Sequence, residues 1–241
     1  MARYAFAAEF VKDKAVLDVA CSWGYGSKYL FDKGARAVIG GDISAEAVEC
    51  AQTFWRRRGT GFVVLDAARL PFADNSFDAV VSMETIEHLE QYQDYLAECK
   101  RVLKKGGAFI CSTPNKGLGV PGAPKIHPHH IHEFYPEEFQ ELLSQFFVET
   151  QLYGQGYWHK GEGKVWKMKF KVENAIKQPF PKLYQVIRFF DMKFISRVRY
   201  TQLSQIVDFD KILDEKHKPF PLVGNSPVPK DIIVVARKGS S

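Results

Sequence analysis

The chain has 241 residues, of which 46% are hydrophobic and 25% charged, and its formal net charge is +5. This composition excludes a disordered polar chain and a membrane-embedded one, and the length predicts one domain, or one domain with a large insertion. No run of about 20 apolar residues is present and residues 1–10 lack a long apolar stretch, so we expect a cytoplasmic protein without a signal peptide. The four cysteines are scattered without a C-x-x-C pair, which predicts reduced thiols.

Short apolar runs alternate with longer amphipathic segments in the first two thirds of the chain. In chain order, the predicted strands are 15–20, 37–41, 62–65, 77–83, 108–112, 147–152 and 232–236. Helices are predicted between them, at 27–33, 45–57, 91–103 and 136–146, with Ser44 as an N-cap. This alternation predicts a Rossmann-like, doubly wound, mostly parallel sheet of seven strands.

The last predicted strand follows the others only after about 75 residues, which is improbable as a structureless loop in a compact domain. We therefore predict a core over residues 1–155, an inserted helical cap over 156–229, and a last core strand with a tail over 230–241. Helices within the cap are expected at 165–176 and 183–207, bounded by prolines.

Charge is unevenly distributed along the chain. Residues 1–155 carry 16 basic and 20 acidic side chains, whereas residues 156–200 carry 11 basic and 3 acidic ones, interleaved with aromatics. Three interpretations stay open for this segment. It could pack on the core with solvated lysines, bind single-stranded RNA, or lie on an anionic membrane surface through residues 157–200. In each case it would cover the mouth of a site and influence the choice of acceptor.

A strand, a glycine turn and a helix follow one another in the sequence VLDVACSWGYGS, residues 16–27. Asp18 lies near the end of this first strand, Asp42 ends the second strand, and Asp66 follows the third. Because the carboxyl ends of parallel strands form the crevice in which open α/β sheets bind ligands, we expect the three carboxylates to converge there. Gly24 and Gly26 would let backbone approach the ligand closely.

This pattern resembles class I S-adenosylmethionine-dependent methyltransferases, over residues 3–155 and again over 230–238. The chain departs from the family pattern at Ala20 and Ser22, where glycine is usual. The alternative, a nicotinamide-binding Rossmann domain, requires a third glycine where Tyr29 stands. The resemblance also covers Asp78 and the segments LPF at 70–72 and NSFD at 75–78.

The resemblance implies cofactor-binding roles for residues in four places. Asp42 would accept hydrogen bonds from both ribose hydroxyls, with Ile43 beside it, and Asp66 with the Ala67 amide would read the adenine edge. The amino-acid end of S-adenosylmethionine would be held by side chains and backbone of the first loop and of the fourth strand's end: Asp18, Ala20, Cys21, Gly24, Gly26 and Glu84.

A cluster of candidate metal ligands follows the fourth strand in the sequence METIEHL. If a helix begins there, Glu84, Glu87 and His88 share one helix face and could hold Mg²⁺ or Mn²⁺. Four of the seven histidines lie in the segment IHPHHIHEF, residues 126–134, which we expect beside the same strand end. The combination resembles metal-dependent small-RNA 3′-terminal 2′-O-methyltransferases and, more loosely, ubiquinone-pathway O-methyltransferases. That resemblance implies Glu84, Glu87, His88 and His130 as ligands, with His127 as the next candidate.

We therefore expect an O-methyltransferase that acts on a sugar-type hydroxyl of a glycan or secondary metabolite. His88, His130 or His127 would take the proton of the attacking hydroxyl, and a cation would lower the pKa of that hydroxyl. One alternative is methylation of an RNA ribose 2′-hydroxyl. Another, of a different class, is a non-catalytic protein that binds S-adenosylmethionine or another ligand.

Overall fold

The computed structural model describes residues 2–116, 129–155 and 231–240, and the backbone of Phe220 and Pro221. Within these residues, one sheet of eight strands is flanked by five α-helices. The strands are β1 Ala15–Val19, β2 Ala37–Asp42, β3 Thr60–Val64, β4 Phe77–Met83, β5 Leu103–Pro114, β6 Glu149–Gln155, β7 Phe220–Pro221 and β8 Asp231–Arg237. The helices are α1 Ala2–Ala8, α2 Tyr25–Asp32, α3 Ala45–Trp55, α4 Tyr92–Val102 and α5 Pro136–Ser144.

The strands lie in the order β3-β2-β1-β4-β5-β8-β6-β7. The first five strands in this order pair in parallel, whereas β8 is antiparallel to both β5 and β6. The predicted doubly wound, mostly parallel sheet is confirmed, and its seven predicted strands are joined by the two-residue edge strand β7. Successive strands are added to one side of β1 as far as β3 and to its other side from β4 onward, and such sheets form their ligand crevice at this switch in strand order.

Both faces of the central strands are buried, which explains their nearly continuous apolar sequences. On β4, Ala79, Val80 and Val81 have no exposed surface, and alternate residues enter two different core clusters. Helix α4 covers one face with an apolar stripe of Leu96, Cys99 and Val102. Burial of this strand is therefore a property of the whole layered fold, because helices must cover both faces.

The ends of the helices follow local rules. The Ser44 hydroxyl accepts a hydrogen bond from the Ala47 amide at 3.2 Å, so the predicted N-cap of α3 is confirmed. Helix α5 starts with Pro136, and the Glu138 carboxylate accepts a hydrogen bond from the Tyr135 amide at 3.2 Å. Helix α1 was not predicted, because its seven residues are too few for a clear periodic pattern.

The helix considered at Glu84 does not form. Glu84 has a left-handed φ of 54°, and only a single 3₁₀ turn follows, at Ile86–His88. Glu84, Glu87 and His88 therefore do not share a helix face, contrary to the prediction, because a left-handed residue interrupts the helical path.

The cap predicted at 156–229 lies outside the described residues, apart from β7, and so does the loop residue His127. All four cysteines are described and none forms a disulfide, as predicted. Among the helices of the described segments, none has the length and apolar content needed to cross a lipid bilayer.

Candidate active site

The loop after β1 is built on left-handed backbone. Ala20, Ser22 and Gly24 have φ values of 59°, 50° and 77°, so every second residue adopts a conformation that favours glycine. The positions where glycine is usual in the resembled family thus keep the glycine-like geometry, although Ala20 and Ser22 carry a Cβ. The loop is tied to the next strand by the Cys21 amide, which donates to the Gly41 carbonyl at 2.9 Å.

Asp42 ends β2 with its carboxylate oriented by two backbone amides. The Ser22 amide donates to Oδ2 at 2.8 Å, and the Ser44 amide donates to Oδ1 at 2.9 Å. Each carboxylate oxygen keeps a second acceptor site, so the group can receive two hydroxyls of a ligand at once. The neighbouring Ile43 is 76% exposed, which leaves a large apolar side chain at the rim of the crevice.

Asp66 lies just beyond β3, on the same edge of the sheet. Its Oδ1 accepts a hydrogen bond from the Ala68 amide at 2.9 Å, and its carbonyl accepts one from the Arg69 amide at 3.0 Å. These bonds shape a tight turn in which Asp66 remains exposed and Ala67 is half-buried. Both residues are therefore accessible to a ligand.

Asp18 differs from the other two aspartates because its side chain is fully enclosed. The Ser27 hydroxyl donates to Oδ2 at 2.6 Å and the Tyr4 hydroxyl donates to Oδ1 at 3.1 Å, while the exposed fraction of Asp18 is 0%. Burial raises the pKa of this carboxyl to about 7, and the two hydrogen bonds oppose the effect. Asp18 supports the loop from beneath rather than lining the crevice.

The two glycines of the loop also make room for the protein's own side chains. A Cβ on Gly24 would lie 2.6 Å from Phe62 Cε1, and a Cβ on Gly26 would lie 2.0 Å from Tyr4 Cζ. Both are closer than any tolerated contact, so these glycines are required by packing. The sequence argument attributed them to close approach of a ligand.

Glu84 is held apart from the histidines by its own partners. Its Oε1 accepts a hydrogen bond from the Ser112 hydroxyl at 2.8 Å, and its Oε2 lies 3.4 Å from Arg3 Nη2. Arg3 Nη2 also lies 2.7 Å from Asp231 Oδ2 at the start of β8. Glu84 thus lies in an ion-pair cluster at the carboxyl ends of β4 and β5.

Glu87, His88 and His130 come together as a separate trio. Each offers a ligand atom, and these atoms lie within 4.8 Å of one another. The Glu87 side chain is 1% exposed, and His88 Nε2 lies 3.9 Å from its Oε1. The other oxygen, Oε2, accepts a hydrogen bond from the Thr113 hydroxyl at 3.1 Å, whereas Oε1 has no hydrogen-bond partner among the described residues.

Neighbouring groups orient both imidazoles. His88 Nδ1 lies 2.8 Å from the His129 carbonyl, and because a carbonyl only accepts, Nδ1 carries the proton and Nε2 keeps its lone pair. His130 Nδ1 lies 2.8 Å from Glu133 Oε1, which favours the same tautomer. Both contacts are of the kind that positions histidine ligands around a metal ion.

The histidine segment is anchored on Glu87 itself. The amides of Ile131 and His132 donate to the Glu87 carbonyl at 2.7 and 3.2 Å. Burial and then the charge of Glu84 raise the pKa of the Glu87 carboxyl to about 8. A buried carboxylate oxygen without a partner, beside two imidazoles, fits a divalent cation, which would satisfy that oxygen and keep the group ionised.

The structure therefore assembles part of the predicted metal set. Glu87, His88 and His130 meet, Glu84 does not join them, and His127 lies outside the described residues. Sequence reasoning missed Glu133, although its position three residues after His130 could have suggested a contact between the two side chains. It also missed Tyr4, for which the sequence contains no signal.

Comparison with known proteins identifies methyltransferases as similar to this chain. Residues 17–111 match the model of a family described as a methyltransferase domain. A probable S-adenosylmethionine-dependent methyltransferase of Mycolicibacterium smegmatis is 38% identical over 137 residues, which make up 56% of this chain and 52% of that protein. A fatty-acid O-methyltransferase of the same species is 34% identical over 116 residues, 46% of this chain and 41% of that protein. The chain thus spans about half the length of these relatives.

A solved structure from Thermotoga maritima, described as a SAM-dependent methyltransferase, superposes on the chain with a TM-score of 0.62. It covers 98% of this chain and 88% of its own, at 16% sequence identity. At 16% identity, this structural similarity shows the fold alone.

Proposed function

Because this chain contains a class I S-adenosylmethionine-dependent methyltransferase domain, we propose that it transfers the methyl group of S-adenosylmethionine to a hydroxyl oxygen of a small-molecule acceptor. The acceptor that we favour is a sugar-type hydroxyl in a glycan or secondary metabolite. The observation that carries the proposal is the Asp42 carboxylate, fixed by two backbone amides at the carboxyl edge of the sheet. An O-methyltransferase among the relatives supports oxygen as the acceptor atom.

The cofactor would lie along the carboxyl ends of β1, β2 and β3. Asp42 receives the two ribose hydroxyls, since its oxygens are held in place and keep free acceptor sites. Ile43 packs against the adenine, which removes an exposed apolar side chain from water. Asp66 and the Ala67 amide hydrogen-bond the adenine edge, and the left-handed loop 20–24 faces the amino-acid end.

Methyl transfer from a sulfonium is an in-line displacement that depends mainly on alignment of the acceptor oxygen. The carbon–oxygen bond forms as the carbon–sulfur bond breaks, and the hydroxyl proton must leave. In the protein without a bound cation, His88 is placed to take it, because the His129 carbonyl holds its Nδ1 proton and its Nε2 lone pair is available. General-base catalysis of this kind contributes roughly 10²- to 10⁴-fold. His130 is the second candidate base, and His127 remains a prediction.

Glu87, His88 and His130 would hold a divalent cation, which supplies Lewis-acid activation of the acceptor hydroxyl when bound. Two imidazoles and one carboxylate favour borderline ions such as Fe²⁺, Co²⁺ or Zn²⁺. Of the harder ions, Mn²⁺ accepts imidazole more readily than Mg²⁺, which prefers an all-oxygen set. The donor set therefore supports Mn²⁺ over Mg²⁺, the two ions considered from the sequence. Glu133 and the His129 carbonyl orient the two imidazoles.

Two of the alternatives raised by the sequence involve residues 156–200. Contact with an anionic membrane surface rests on that basic, aromatic segment, which lies outside the described residues. RNA ribose methylation rests on the same segment and on the resemblance of the glutamate and histidine residues to metal-dependent small-RNA methyltransferases. A non-catalytic ligand-binding role would leave the trio of Glu87, His88 and His130 without a function. We therefore favour small-molecule O-methylation.

Calorimetric binding of S-adenosylhomocysteine tests the cofactor assignment. Asp42→Ala removes two charge-assisted hydrogen bonds and is expected to weaken binding at least about a hundredfold. Glu141→Ala, a matched loss of an exposed carboxylate on α5, should leave the dissociation constant unchanged. Equal affinity of wild type and Asp42→Ala would reject the assignment.

Titration with Co²⁺, followed by its visible absorption, tests the metal assignment independently of activity. His130→Ala should weaken Co²⁺ binding at least about tenfold, within the range seen for lost ligand contacts. His132→Ala is the control, because His132 lies in the same segment and packs on Tyr92, with ring centroids 4.9 Å apart. Wild-type protein that takes up no Co²⁺, or equal uptake by both variants, would show that this trio binds no cation.

A further inference from the structure

Three side chains from three different elements meet beneath the loop that follows β1. The Tyr4 hydroxyl, from α1, lies 3.1 Å from Asp18 Oδ1 on β1, and the Ser27 hydroxyl, from α2, lies 2.6 Å from Asp18 Oδ2. All three residues are buried. The Asp18 carboxylate thus links α1, β1 and α2 through hydrogen bonds.

Asp18 cannot contact a ligand directly, because no part of it reaches the surface. It acts through the backbone that follows, where Ala20 and Ser22 are held in left-handed conformations that side chains with a Cβ disfavour. Such strained backbone persists only where surrounding contacts determine it. The buried hydrogen bonds of Asp18 lie two residues before the first strained position.

The Tyr4 ring packs against the first turn of α2. A Cβ on Gly26 would lie between 2.0 and 2.5 Å from three atoms of that ring, so the ring occupies the space that any other residue at position 26 would need. Helix α1 has only seven residues, too few to be stable by itself. It is therefore held by what it buries, which is Tyr4 together with Phe6 and Ala7.

We propose that Tyr4 is a positioning residue for the cofactor: by donating its hydroxyl to Asp18, it holds loop 20–24 and the first turn of α2 in the conformation that binds S-adenosylmethionine. This inference rests on the proposed function, since it requires S-adenosylmethionine as the ligand. Cofactor affinity then depends on a phenol hydroxyl that the cofactor does not contact.

The charge state of Asp18 provides a distinctive readout. The groups that face it are Tyr4 from α1, Cys21 from the loop, Tyr25 and Ser27 from α2, and Asp42 from β2. Burial raises the pKa of Asp18, and the donated hydroxyls favour its ionised form. Without the Tyr4 hydroxyl, ionisation requires a higher pH, so the lost affinity should return in part as the pH rises.

The test compares S-adenosylhomocysteine binding by wild type and Tyr4→Phe at pH values from 6 to 9. Phenylalanine keeps the ring against Gly26 and removes only the hydroxyl. We expect binding about tenfold weaker at pH 7.5, the usual cost of a lost hydrogen bond to a charged group, with the gap narrowing towards pH 9. Tyr153→Phe is the control, because Tyr153 packs on Phe6 of the same helix, 4.7 Å between ring centroids.

Affinities within twofold at every pH, or a gap that stays constant with pH, would overturn the inference and leave Tyr4 as a packing residue. Failure of the wild type to bind S-adenosylhomocysteine would overturn the proposed function as well. If Tyr4→Phe does not fold, Ser27→Ala removes the other hydrogen bond to Asp18 without altering α1, and the same pH-dependent weakening is required of it.

Discussion

Replacement of Glu87 by glutamine should stabilise the metal-free protein, although it removes a candidate ligand. In the fold, the Glu87 side chain is almost fully buried and its Oε1 has no hydrogen-bond partner among the described residues. Its pKa is raised from 4.5 to about 8, first by burial and then by the charge of Glu84. Ionised Glu87 is therefore a cost to the folded state whenever no cation is bound.

The sign and size of the effect follow from proton linkage. Because the folded state holds this proton more tightly than the unfolded state, the free energy of unfolding falls as the pH rises from about 4.5 to about 8. One pKa unit corresponds to about 1.36 kcal/mol, so full ionisation of Glu87 costs on the order of 5 kcal/mol. Glutamine does not ionise, so the stability difference between Glu87→Gln and wild type should grow with pH and level off above pH 8.

Urea denaturation in the presence of a chelator, at intervals from pH 6 to pH 9, measures this difference directly. Glu90→Gln is the control, because Glu90 is exposed three residues further along the chain. Addition of Mn²⁺ should reverse the order, since a cation that binds only the folded wild type stabilises it by mass action. Stability curves of wild type and Glu87→Gln that run parallel with pH in chelator would refute the reasoning.

Three further substitutions test other parts of the site. Gly26→Ala should lower the free energy of unfolding by about 2 kcal/mol or more, because the new Cβ would meet the Tyr4 ring at 2.0 Å. Gly61→Ala is the control: its Cβ would have its nearest contact at 3.2 Å, so thermal unfolding should show less than half that loss. Equal losses would show that the ring moves freely. Ala20→Gly should be neutral or stabilise the fold by up to about 1 kcal/mol, since relief of the left-handed strain exceeds the entropy cost of glycine. A clear loss of stability in denaturant would contradict that.

The positions of the strands along the chain followed from elementary patterns. The buried strands β1 and β4 are nearly continuous apolar runs, each containing one aspartate, and β-branched residues such as Val16, Val80 and Val81 identify them without tertiary information. The N-cap at Ser44 is equally local, because it requires only one hydroxyl and one amide three residues away. Helix α1 is short and aromatic, and the contacts that define it lie on distant parts of the chain, so no local pattern predicted it.

In the candidate site, too, some features could be predicted from local sequence and others could not. The turns after β1, β2 and β3 place Asp18, Asp42 and Asp66 at one edge of a parallel sheet, so their convergence could be predicted. Whether each side chain faces the crevice could not, because that depends on what packs beneath it: Tyr4 and Ser27 enclose Asp18, whereas backbone amides hold Asp42 with acceptor sites free.

The sequence by itself therefore determined the α/β class, the positions of the strands along the chain and the edge of the sheet that carries the site, because strand burial and turn position follow from local residue types. The tertiary structure decided which side chains act together. One left-handed residue, Glu84, turns the chain so that its carboxylate pairs with Arg3 and Ser112. The neighbours Glu87 and His88 meet His130, which follows only after α4 and β5. Contacts between residues so distant in the chain depend on packing, which no local pattern of residues contains.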